Sequence, residues 1–368
     1  MESQEFSIEN SASSIQHSIL VLSDGKPGHY NQSLGIIDRM GDVSAKTVEV
    51  RFKRKWRDNA LRVFTRLLAG VKLPRKLIRA MLKWSMESSC ATAVLGAGNW
   101  DAILATGSSV AAPNLLLGQL TGARTAVCTR PSPVGISHFD LALLPEHMRP
   151  RRRASNVVMT LGVPNRITPE HIEKAGIALA ERLEIADQRV IGLLLGGDDG
   201  HYAIPPDMVS SLCDVLLDVC EKSKMCLALT TSRRTDPKSE GVVKSRMNGN
   251  PACCFSVLAS EPQEENPVPG ILGISEVVIV TEDSFSMVCE AASSGKKIII
   301  LEVKRKKHGD PKRQRVFEMI VDGGYARSAD VPGLGSVILD FADDPLKPKA
   351  MNDAQTAADA LHSLISGC

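Results

Sequence analysis

The sequence predicts an α/β fold built from two parallel sheets, each covered by helices on both faces. Two observations lead to this prediction. Short, nearly continuous apolar segments alternate with longer amphipathic segments along most of the chain, which is the pattern of buried parallel strands and covering helices. The alternation is interrupted near 165–188, and the length of 368 residues is enough for two domains of ordinary size.

The first series of elements starts at the apolar segment Ile19-Leu20-Val21-Leu22, which predicts a buried strand. A helix follows over 30–40, because Leu34, Ile37 and Met40 share one helical face. The remaining predicted strands of this series are 48–52, 102–105, 123–128, 139–144 and 157–160, and its remaining helices are 56–69, 75–85 and 108–120.

The second series follows a helix that Thr168 opens, and Pro169 is the first residue inside this helix. Its predicted strands are 190–195, 225–230, 254–258, 276–280 and 297–301, and its helices are 206–221, 237–247, 284–294, 311–321 and 352–365.

Domain limits follow from these elements. We expect a disordered N-terminus at 1–14, an N-terminal domain at 15–167, a linker helix at 168–188, a second domain at 189–345 and a C-terminal helix at 346–368.

Composition excludes several classes of protein. Hydrophobic residues make up 43% of the chain and charged residues 23%, which excludes disorder for the bulk of the chain. Only 3 Trp, 3 Tyr and 8 Phe are present, too few to favour a binder that stacks ligands on aromatic platforms. The nine cysteines form no Cys-x-x-Cys pair, so no metal site is expected, and reduced thiols favour a cytoplasmic protein. The first residues do not resemble a signal peptide.

Loops that follow strands are the places to look for a site, because ligands of parallel sheets bind beyond the carboxyl ends of the strands. The first such loop is Ser23-Asp24-Gly25-Lys26-Pro27-Gly28-His29. Gly25 and Gly28 allow the backbone to approach a ligand, Lys26 supplies a cation, and a helix N-terminus follows. His29 is a candidate general base, and Asp24 either orients its imidazole or is the base itself.

Two loops of the second series have the composition of an anion site. Gly196 and Gly197 follow a buried strand directly and suit close approach by a ligand or a neighbouring domain. Ser232-Arg233-Arg234 ends the next strand with a hydroxyl and two guanidiniums, whose geometry matches phosphate oxygens. A solvated arginine pair beside a plain turn is the alternative.

The loop that opens the 284–294 helix gives the most specific signal. Asp283 and Ser284 begin a helix of small residues, and Ser284, Ser286 and the free N–H groups up to Met287 can bind a phosphate. Glu290, within the first two turns, can accept hydrogen bonds from two ribose hydroxyls. This loop therefore predicts nucleotide binding.

Residues 51–84 carry twelve Lys or Arg and one acid, Asp58, whereas the whole chain has a net charge of only +2. Trp56, Phe64 and Trp84 are among the apolar residues interleaved with these charges. Such a segment suits either an anionic membrane surface or a solvated helix pair with one core face. No nucleic-acid-binding motif accompanies the charge, so nucleic acid is not expected as a partner.

The order of these loops resembles the mitochondrial-fission ELM (elongated mitochondria) family of glycosyltransferase-like proteins, over about 17–325. The resemblance is carried by Ser23–His29 with Asn31-Gln32, by Thr106-Gly107, by Leu161-Gly162-Val163-Pro164-Asn165, by Gly196-Gly197, by Ser232–Thr235 and by Thr281–Ala292. That family is similar to GT-B glycosyltransferases, which implies two Rossmann-like domains facing a cleft.

The resemblance implies a transferase that moves a sugar from a nucleotide-sugar donor to a cell-envelope acceptor, anionic or lipid-linked. His29 and Asp24 would be catalytic, and Thr106 and Gly107 would lie on the acceptor side. The donor would be bound by Gly25, Lys26, Gly28, Gly196, Gly197, Ser232, Arg233, Arg234, Asp283, Ser284, Ser286, Met287 and Glu290. No metal or other cofactor is implied, because side chains and a helix dipole can stabilise the departing diphosphate.

Two other functions are compatible with the sequence. Plant members of the family are associated with organelle division, so a non-catalytic adaptor at a membrane, with the same fold, is an alternative. A nucleotide-sugar epimerase or other NAD enzyme is disfavoured, because the first loop is not Gly-x-Gly-x-x-Gly and no Tyr has a Lys four residues later. As an enzyme, the protein is expected in the cytoplasm, at the inner face of the plasma membrane if residues 51–84 bind lipid.

Overall fold

The computed structural model describes residues 17–41, 43–185, 187–262, 265–307 and 309–367. In this part of the chain two parallel six-stranded sheets are surrounded by helices. The predicted α/β class with two sheets is therefore confirmed. The N-terminus that the sequence predicts to be disordered, 1–14, lies outside the described residues.

The first sheet is built from the first six strands. They are β1 (His17–Ser23), β2 (Val43–Glu49), β3 (Ala102–Thr106), β4 (Arg124–Cys128), β5 (Leu141–Pro145) and β6 (Val157–Thr160). The helices among them are α1 (Pro27–Ile37), α2 (Lys55–Leu67), α3 (Arg75–Ser85), α4 (Ser88–Leu95) and α5 (Ala111–Thr121). The strand order is β2-β1-β3-β4-β5-β6.

The second sheet and a small two-stranded sheet follow α6 (Pro169–Leu183). The strands are β7 (Val190–Leu195), β8 (Tyr202–Ala203), β9 (Cys226–Thr231), β10 (Cys253–Val257), β11 (Val277–Thr281), β12 (Lys297–Leu301), β13 (Lys304–Arg305) and β14 (Arg327–Ala329). The helices are α7 (Pro206–Ser223), α8 (Pro237–Met247), α9 (Val268–Ile274), α10 (Phe285–Ser293), α11 (Pro311–Asp322), α12 (Val331–Ala342) and α13 (Asp353–Ser366). The strand order is β10-β9-β7-β11-β12-β14, and β8 pairs with β13.

Both sheets contain a topological switch point, where the strand order reverses direction. In the first sheet it lies between β1 and β3, which pair in parallel from Ile19 with Ala102. In the second sheet it lies between β7 and β11, which pair in parallel from Ile191 with Val277. Ligands of doubly wound sheets bind outside the carboxyl ends of the strands at such points. The loops after β1, β3, β7 and β11 are therefore the candidate sites.

The second sheet is covered on both faces, as the continuous apolar strands predict. Val277 and Ile279 pack into one core, and their neighbours Val278 and Val280 pack into the other. Successive side chains of a strand point to opposite faces, so each strand contributes to both cores. This arrangement holds the carboxyl ends of β7 and β11 in fixed positions.

The described chain divides into two compact units. One comprises 17–30, 37–142 and 358–367, and the other comprises 31–36 and 143–357. The division thus places α6 in the second unit and the later residues of α13 in the first. The predicted domain limits, each a continuous range, stay predictions.

The sequence pattern places strand β2 too late in the chain. The apolar residues of 48–52 predict a strand there, whereas the strand runs over Val43–Glu49. It lies at the edge of the first sheet, and four consecutive residues of it, 44–47, are exposed. An exposed edge strand lacks the apolar pattern of a central strand, which explains the shift.

Helix α9 has no counterpart among the predicted elements, because its Val-Pro-Gly-Ile-Leu-Gly-Ile sequence resembles a loop. Its second glycine, Gly273, serves packing. A Cβ at Gly273 would lie 2.1 Å from the carbonyl oxygen of Ile172, and one at Gly176 would lie 2.7 Å from the Gly273 carbonyl carbon. The pair of glycines allows α6 and α9 to pack backbone against backbone.

Candidate active site

The loop after β1 holds an Asp–His pair. The imidazole Nδ1 of His29 lies 3.1 Å and 3.0 Å from the two carboxylate oxygens of Asp24. A carboxylate only accepts, so Nδ1 carries the proton and donates it to Asp24. The other ring nitrogen, Nε2, is then the one that can accept a proton from a substrate. The side chain of Asp24 is 5% exposed and that of His29 is 28% exposed, so a substrate can reach the imidazole but not the carboxylate.

The surroundings of Asp24 keep it ionised. Burial by itself would raise its pKa, but the hydrogen bond and charge of His29, together with Lys26, outweigh burial and lower the pKa below its ordinary value. The Lys26 ammonium lies 3.3 Å from the carboxylate, and the Lys26 amide N–H donates to it at 3.3 Å. Asp24 is therefore suited to orient the imidazole of His29.

The loop after β3 packs directly against this pair. Gly107 has a φ of +100°, and a Cβ there would lie 2.5 Å from Nδ1 of His29 and 3.3 Å from an Asp24 carboxylate oxygen. Only glycine fits this position. Thr106 is 1% exposed at the end of β3. The structure thus brings Gly107 to the His29 ring, with Thr106 preceding it in the chain, and the predicted acceptor contacts of both residues stay predictions.

The other predicted residues of the first loop are more exposed. Gly25 has a φ of +76°, and a Cβ there would lie 3.1 Å from a carboxylate oxygen of Glu49. Gly28 lies in the first turn of α1 and faces open space, because a Cβ there would meet no atom within 4 Å. The contacts of Gly25, Lys26 and Gly28 with a donor stay predictions.

In the second sheet, Gly196 and Gly197 are approached by protein groups of the same unit. The Gly196 amide donates to the Thr281 hydroxyl at 2.8 Å, and the Gly197 amide donates to Asp283 at 2.9 Å. A Cβ on Gly196 would lie 2.2 Å from the Asp283 carboxylate. The two glycines therefore let the loops after β7 and β11 close on each other.

The two arginines after β9 differ in their contacts. Arg234 donates to Asp283 at 2.8 Å and to the carbonyl oxygen of Gly197 at 3.2 Å. The Asp283 side chain is fully buried, and burial raises its pKa even though Gly197 and Arg234 act to lower it. Arg233 is exposed, and no ion pair joins it to another described residue. Of the two, Arg233 is the guanidinium that is available to an anion, whereas Arg234 holds Asp283.

The N-terminus of α10 lies at the same edge of the sheet. Ser284 is its N-cap residue, and its hydroxyl makes no capping hydrogen bond. Ser284 is 7% exposed, while Ser286 and Met287 are half-buried. The first-turn amides of a helix carry partial positive charge and favour an anion. The hydroxyl and the first-turn amides thus form a candidate phosphate site.

Glu290 is half-buried in the second turn of α10. Burial raises the pKa of its carboxyl to about 7. No hydrogen bond joins this carboxyl to another side chain or amide in the described part of the chain. The predicted contact of Glu290 with ribose hydroxyls stays a prediction.

The basic stretch after β12 contributes contacts that the sequence did not assign. Glu282 accepts from the Val303 amide and from two guanidinium nitrogens of Arg305, each at 3.1 Å. Lys306 donates to Asp198 at 3.0 Å. These ion pairs join loops at the carboxyl edge of the second sheet. Opposite charges in separate loops were visible in the sequence, but their pairing was not.

His147 is a further residue that the sequence did not single out. Its ring lies edge-to-face on Phe285, the first residue of α10, with centroids 4.3 Å apart. Burial and the nearby Arg313 lower its pKa to about 4, so it is neutral at pH 7. Nothing in its local sequence marks it, because the contact joins the segment after β5 to the helix after β11.

Comparison with known proteins agrees with this architecture. The model of the family "Mitochondrial fission ELM1" matches residues 27–365. Mitochondrial fission protein ELM1 of Arabidopsis thaliana is 27% identical over 146 residues, which is 40% of this chain and 33% of that protein. The match thus spans about a third of the plant relative's length.

Solved structures of low sequence identity share the fold. The UDP-GlcNAc 2-epimerase of Neisseria meningitidis, bound to UDP-GlcNAc, is 13% identical with a TM-score of 0.55, covering 95% of this chain and 100% of that chain. The UDP-GlcNAc 2-epimerase of Methanocaldococcus jannaschii is 12% identical with a TM-score of 0.57, covering 95% and 99%. At this identity the similarity shows the fold, which is the GT-B-like α/β fold that the sequence resemblance implied. From the family match over most of its length, the chain belongs to the mitochondrial fission ELM1 family.

Proposed function

We propose that the protein is a metal-independent glycosyltransferase that moves a sugar from a nucleotide-diphosphate sugar to a hydroxyl of a cell-envelope acceptor. One observation carries the proposal: chemically matched groups follow strands at the switch points of both sheets and the strand β9 that neighbours β7. A reachable imidazole with a buried carboxylate partner follows β1. The exposed Arg233 follows β9, and the α10 N-terminus and the Glu290 carboxyl follow β11.

The proposed reaction divides the work between the two sets of loops. The α10 N-terminus and Arg233 bind the diphosphate, and Glu290 binds the ribose. Nε2 of His29 accepts the proton of the acceptor hydroxyl as its oxygen bonds to the anomeric carbon. The bond from that carbon to the diphosphate oxygen breaks, and the negative charge passes to the departing nucleotide, where the helix dipole and the guanidinium stabilise it.

UDP-GlcNAc is the first donor to test, because the Neisseria epimerase of similar fold is bound to it. Thermal unfolding measured with UDP, other nucleoside diphosphates and UDP-GlcNAc should give a rise in Tm for the nucleotides that bind the native protein. Release of the diphosphate should then be followed with and without an acceptor. Conversion of UDP-GlcNAc to its 2-epimer without an acceptor would point to an epimerase instead.

The second candidate is the non-catalytic adaptor, and the family name favours it, since it refers to mitochondrial fission. An adaptor needs neither the His29–Asp24 pair nor a half-buried carboxyl at Glu290. A measurement of nucleotide binding distinguishes the two candidate functions. An adaptor that lost its chemistry is expected to give no Tm shift with any nucleoside diphosphate or nucleotide sugar.

A further inference from the structure

The surface formed by α2, α3 and the loop between them is unusually apolar. We call it the docking face and define it as the exposed part of 54–84. Seven of the eleven large hydrophobic side chains that are exposed in the described chain belong to it. They are Trp56, Val63, Phe64, Leu67, Val71, Leu77 and Trp84. Their concentration in one segment indicates an interaction surface rather than scattered exposure.

The core of the protein does not require these side chains. The residues that helix α2 buries are Asp58, Leu61 and Thr65. Trp56, Val63 and Leu67 lie on the opposite side of the helix, because successive helical residues are rotated by about 100°. Leu67 is 71% exposed and Trp56 is 56% exposed. Helix α2 therefore carries apolar side chains on two sides, and only one of these sides packs into the protein.

Positive charge surrounds the apolar side chains. Residues 51–84 carry a net charge of +11, and the single acid, Asp58, is paired with Arg62 at 2.9 Å. The side chains of seven exposed cations of 54–84 form neither an ion pair nor a hydrogen bond with any other described residue. They are Arg54, Lys55, Lys72, Arg75, Lys76, Arg79 and Lys83. Such cations at the rim of an apolar surface suit an anionic, partly apolar partner.

The two tryptophans complete the pattern. Trp56 and Trp84 pack edge-to-face with centroids 5.4 Å apart, and the Arg57 guanidinium lies over both rings. Tryptophan favours the boundary between lipid headgroups and acyl chains, since its ring is apolar with one polar N–H group.

We propose that the docking face binds the surface of an anionic phospholipid membrane, with Trp56, Val63 and Leu67 entering the headgroup region and the cations on lipid phosphates. A second copy of the chain is a poorer partner, because two copies of the segment 51–84, each with a net charge of +11, would repel each other. No helix among the described residues is long and apolar enough to cross a membrane.

Hydrogen bonds connect the docking face to the first switch point. Arg62 and Arg66 of α2 donate to the carbonyl oxygens of Ser132 and Pro133, at 3.0 Å and 2.7 Å. The Ser132 amide in turn donates to the Ser108 hydroxyl at 3.1 Å. Residue 108 directly follows the glycine that packs on the His29 ring. We therefore expect the membrane to lie against α2 and the acceptor of the transfer to be a lipid-linked molecule of that membrane. Only the inference about the acceptor rests on the proposed function.

Vesicle co-sedimentation tests the docking itself, without any assay of transfer. Phosphatidylcholine vesicles containing phosphatidylglycerol should pellet the wild-type protein at low salt, and salt should release it. Replacing Lys72, Arg75, Lys76 and Arg79 with Gln should lower partitioning by at least about tenfold. Val63→Ser combined with Leu67→Ser should weaken vesicle binding, and less salt should be needed to release this variant than the wild type. Tryptophan emission of the wild type should shift to the blue and be quenched by brominated lipid.

Matched controls remove the same charge and apolar area elsewhere. Gln at Lys174, Lys238, Lys347 and Lys349, all exposed, should leave partitioning unchanged, and so should Ile177→Ser with Leu346→Ser. The proposal is overturned if the wild type stays in the supernatant at low salt, if neutral vesicles bind it equally, or if control and docking-face variants behave alike. It is also overturned if light scattering shows a dimer that Val63→Ser with Leu67→Ser dissociates while vesicle binding persists.

Discussion

Nδ1 of His29 lies 3.0 Å from Oδ2 of Asp24, inside a loop whose neighbour, Gly107, has no room for a side chain. The contact fixes the tautomer as well as the direction of the ring. Of the two roles that the sequence left open, the geometry favours Asp24 as the positioning residue and His29 as the base. The 5% exposure of the Asp24 side chain supports this assignment, because a base must reach its substrate.

Loss of the imidazole should abolish most of the chemistry. His29→Ala should lower turnover by about 10²–10⁴-fold, the usual contribution of a general base, and should leave nucleotide affinity nearly unchanged. Asp24→Asn should also lower turnover, since an amide can present its N–H to Nδ1 and favour the other tautomer. Steady-state rates and calorimetric affinities check both. Full activity of His29→Ala would place the base elsewhere.

The fit of Gly107 against His29 gives a second prediction. Gly107→Ala would put a Cβ 2.5 Å from Nδ1, so the ring must move and turnover should fall by about as much as for His29→Ala. The positive φ adds strain, and Gly122→Ala is the matched control, because Gly122 also has a positive φ, +87°, but open space around its Cβ. Both variants should lower Tm, but only Gly107→Ala should lose activity. Equal activity of the two would refute the packing argument.

Substitution of Arg234 should lower the stability of the protein, whereas substitution of Arg233 should weaken nucleotide binding. Arg234→Ala leaves the buried Asp283 carboxylate without its cation and should cost about 1–3 kcal/mol of unfolding free energy. Arg233→Ala, at an exposed position, should change stability by less than about 0.5 kcal/mol but weaken nucleotide binding. Urea unfolding and calorimetry measure the two effects. The assignment fails if Arg233→Ala unfolds more easily than Arg234→Ala or binds nucleotide as the wild type does.

Much of the fold can be predicted from the sequence, because the central strands of a parallel sheet are continuous apolar segments. The sequence predicts strands 157–160 and 297–301 with the limits that the structure shows. The loops after the strands follow from the element order, and so the candidate residues can be named. The local pattern gives the wrong limits for β2, because this edge strand is largely exposed. It predicts no element at α9, because the glycines that allow this helix to pack closely resemble those of a loop.

Partners in separate loops cannot be predicted in the same way. The sequence shows Asp283 and Arg234 as two candidate ligands of a donor, but the structure pairs them with each other at 2.8 Å. Pairing of this kind depends on which strands are neighbours in the sheet, and residues 234 and 283 are distant in the chain. The same holds for Gly107, whose place against His29 results from β1 and β3 being adjacent.

The last prediction concerns Glu290, whose pKa burial raises to about 7. Ribose hydroxyls would donate to the ionised carboxylate, so donor affinity should be greatest above pH 7 and fall as the pH drops through that value. Between pH 8 and pH 6 the ionised fraction falls about tenfold, and the affinity should fall by the same factor. UDP-GlcNAc is the suitable probe for calorimetry, because its diphosphate is esterified at both ends and does not titrate in this range. His147, with its pKa lowered to about 4, does not titrate there either.

Glu290→Gln is the control that isolates this carboxyl, since the amide has the same size and does not titrate. Its affinity for UDP-GlcNAc should be lower than that of the wild type at pH 8, by about 1.5–3 kcal/mol, the scale of a hydrogen bond to a charged group. It should also be independent of pH between 6 and 8. The variant should be more stable than the wild type at pH 8, because an acid whose pKa is raised by folding destabilises the native state once it is ionised. A wild-type affinity that does not change between pH 6 and pH 8, or a Glu290→Gln affinity that follows the wild-type profile, would exclude Glu290 from the donor site.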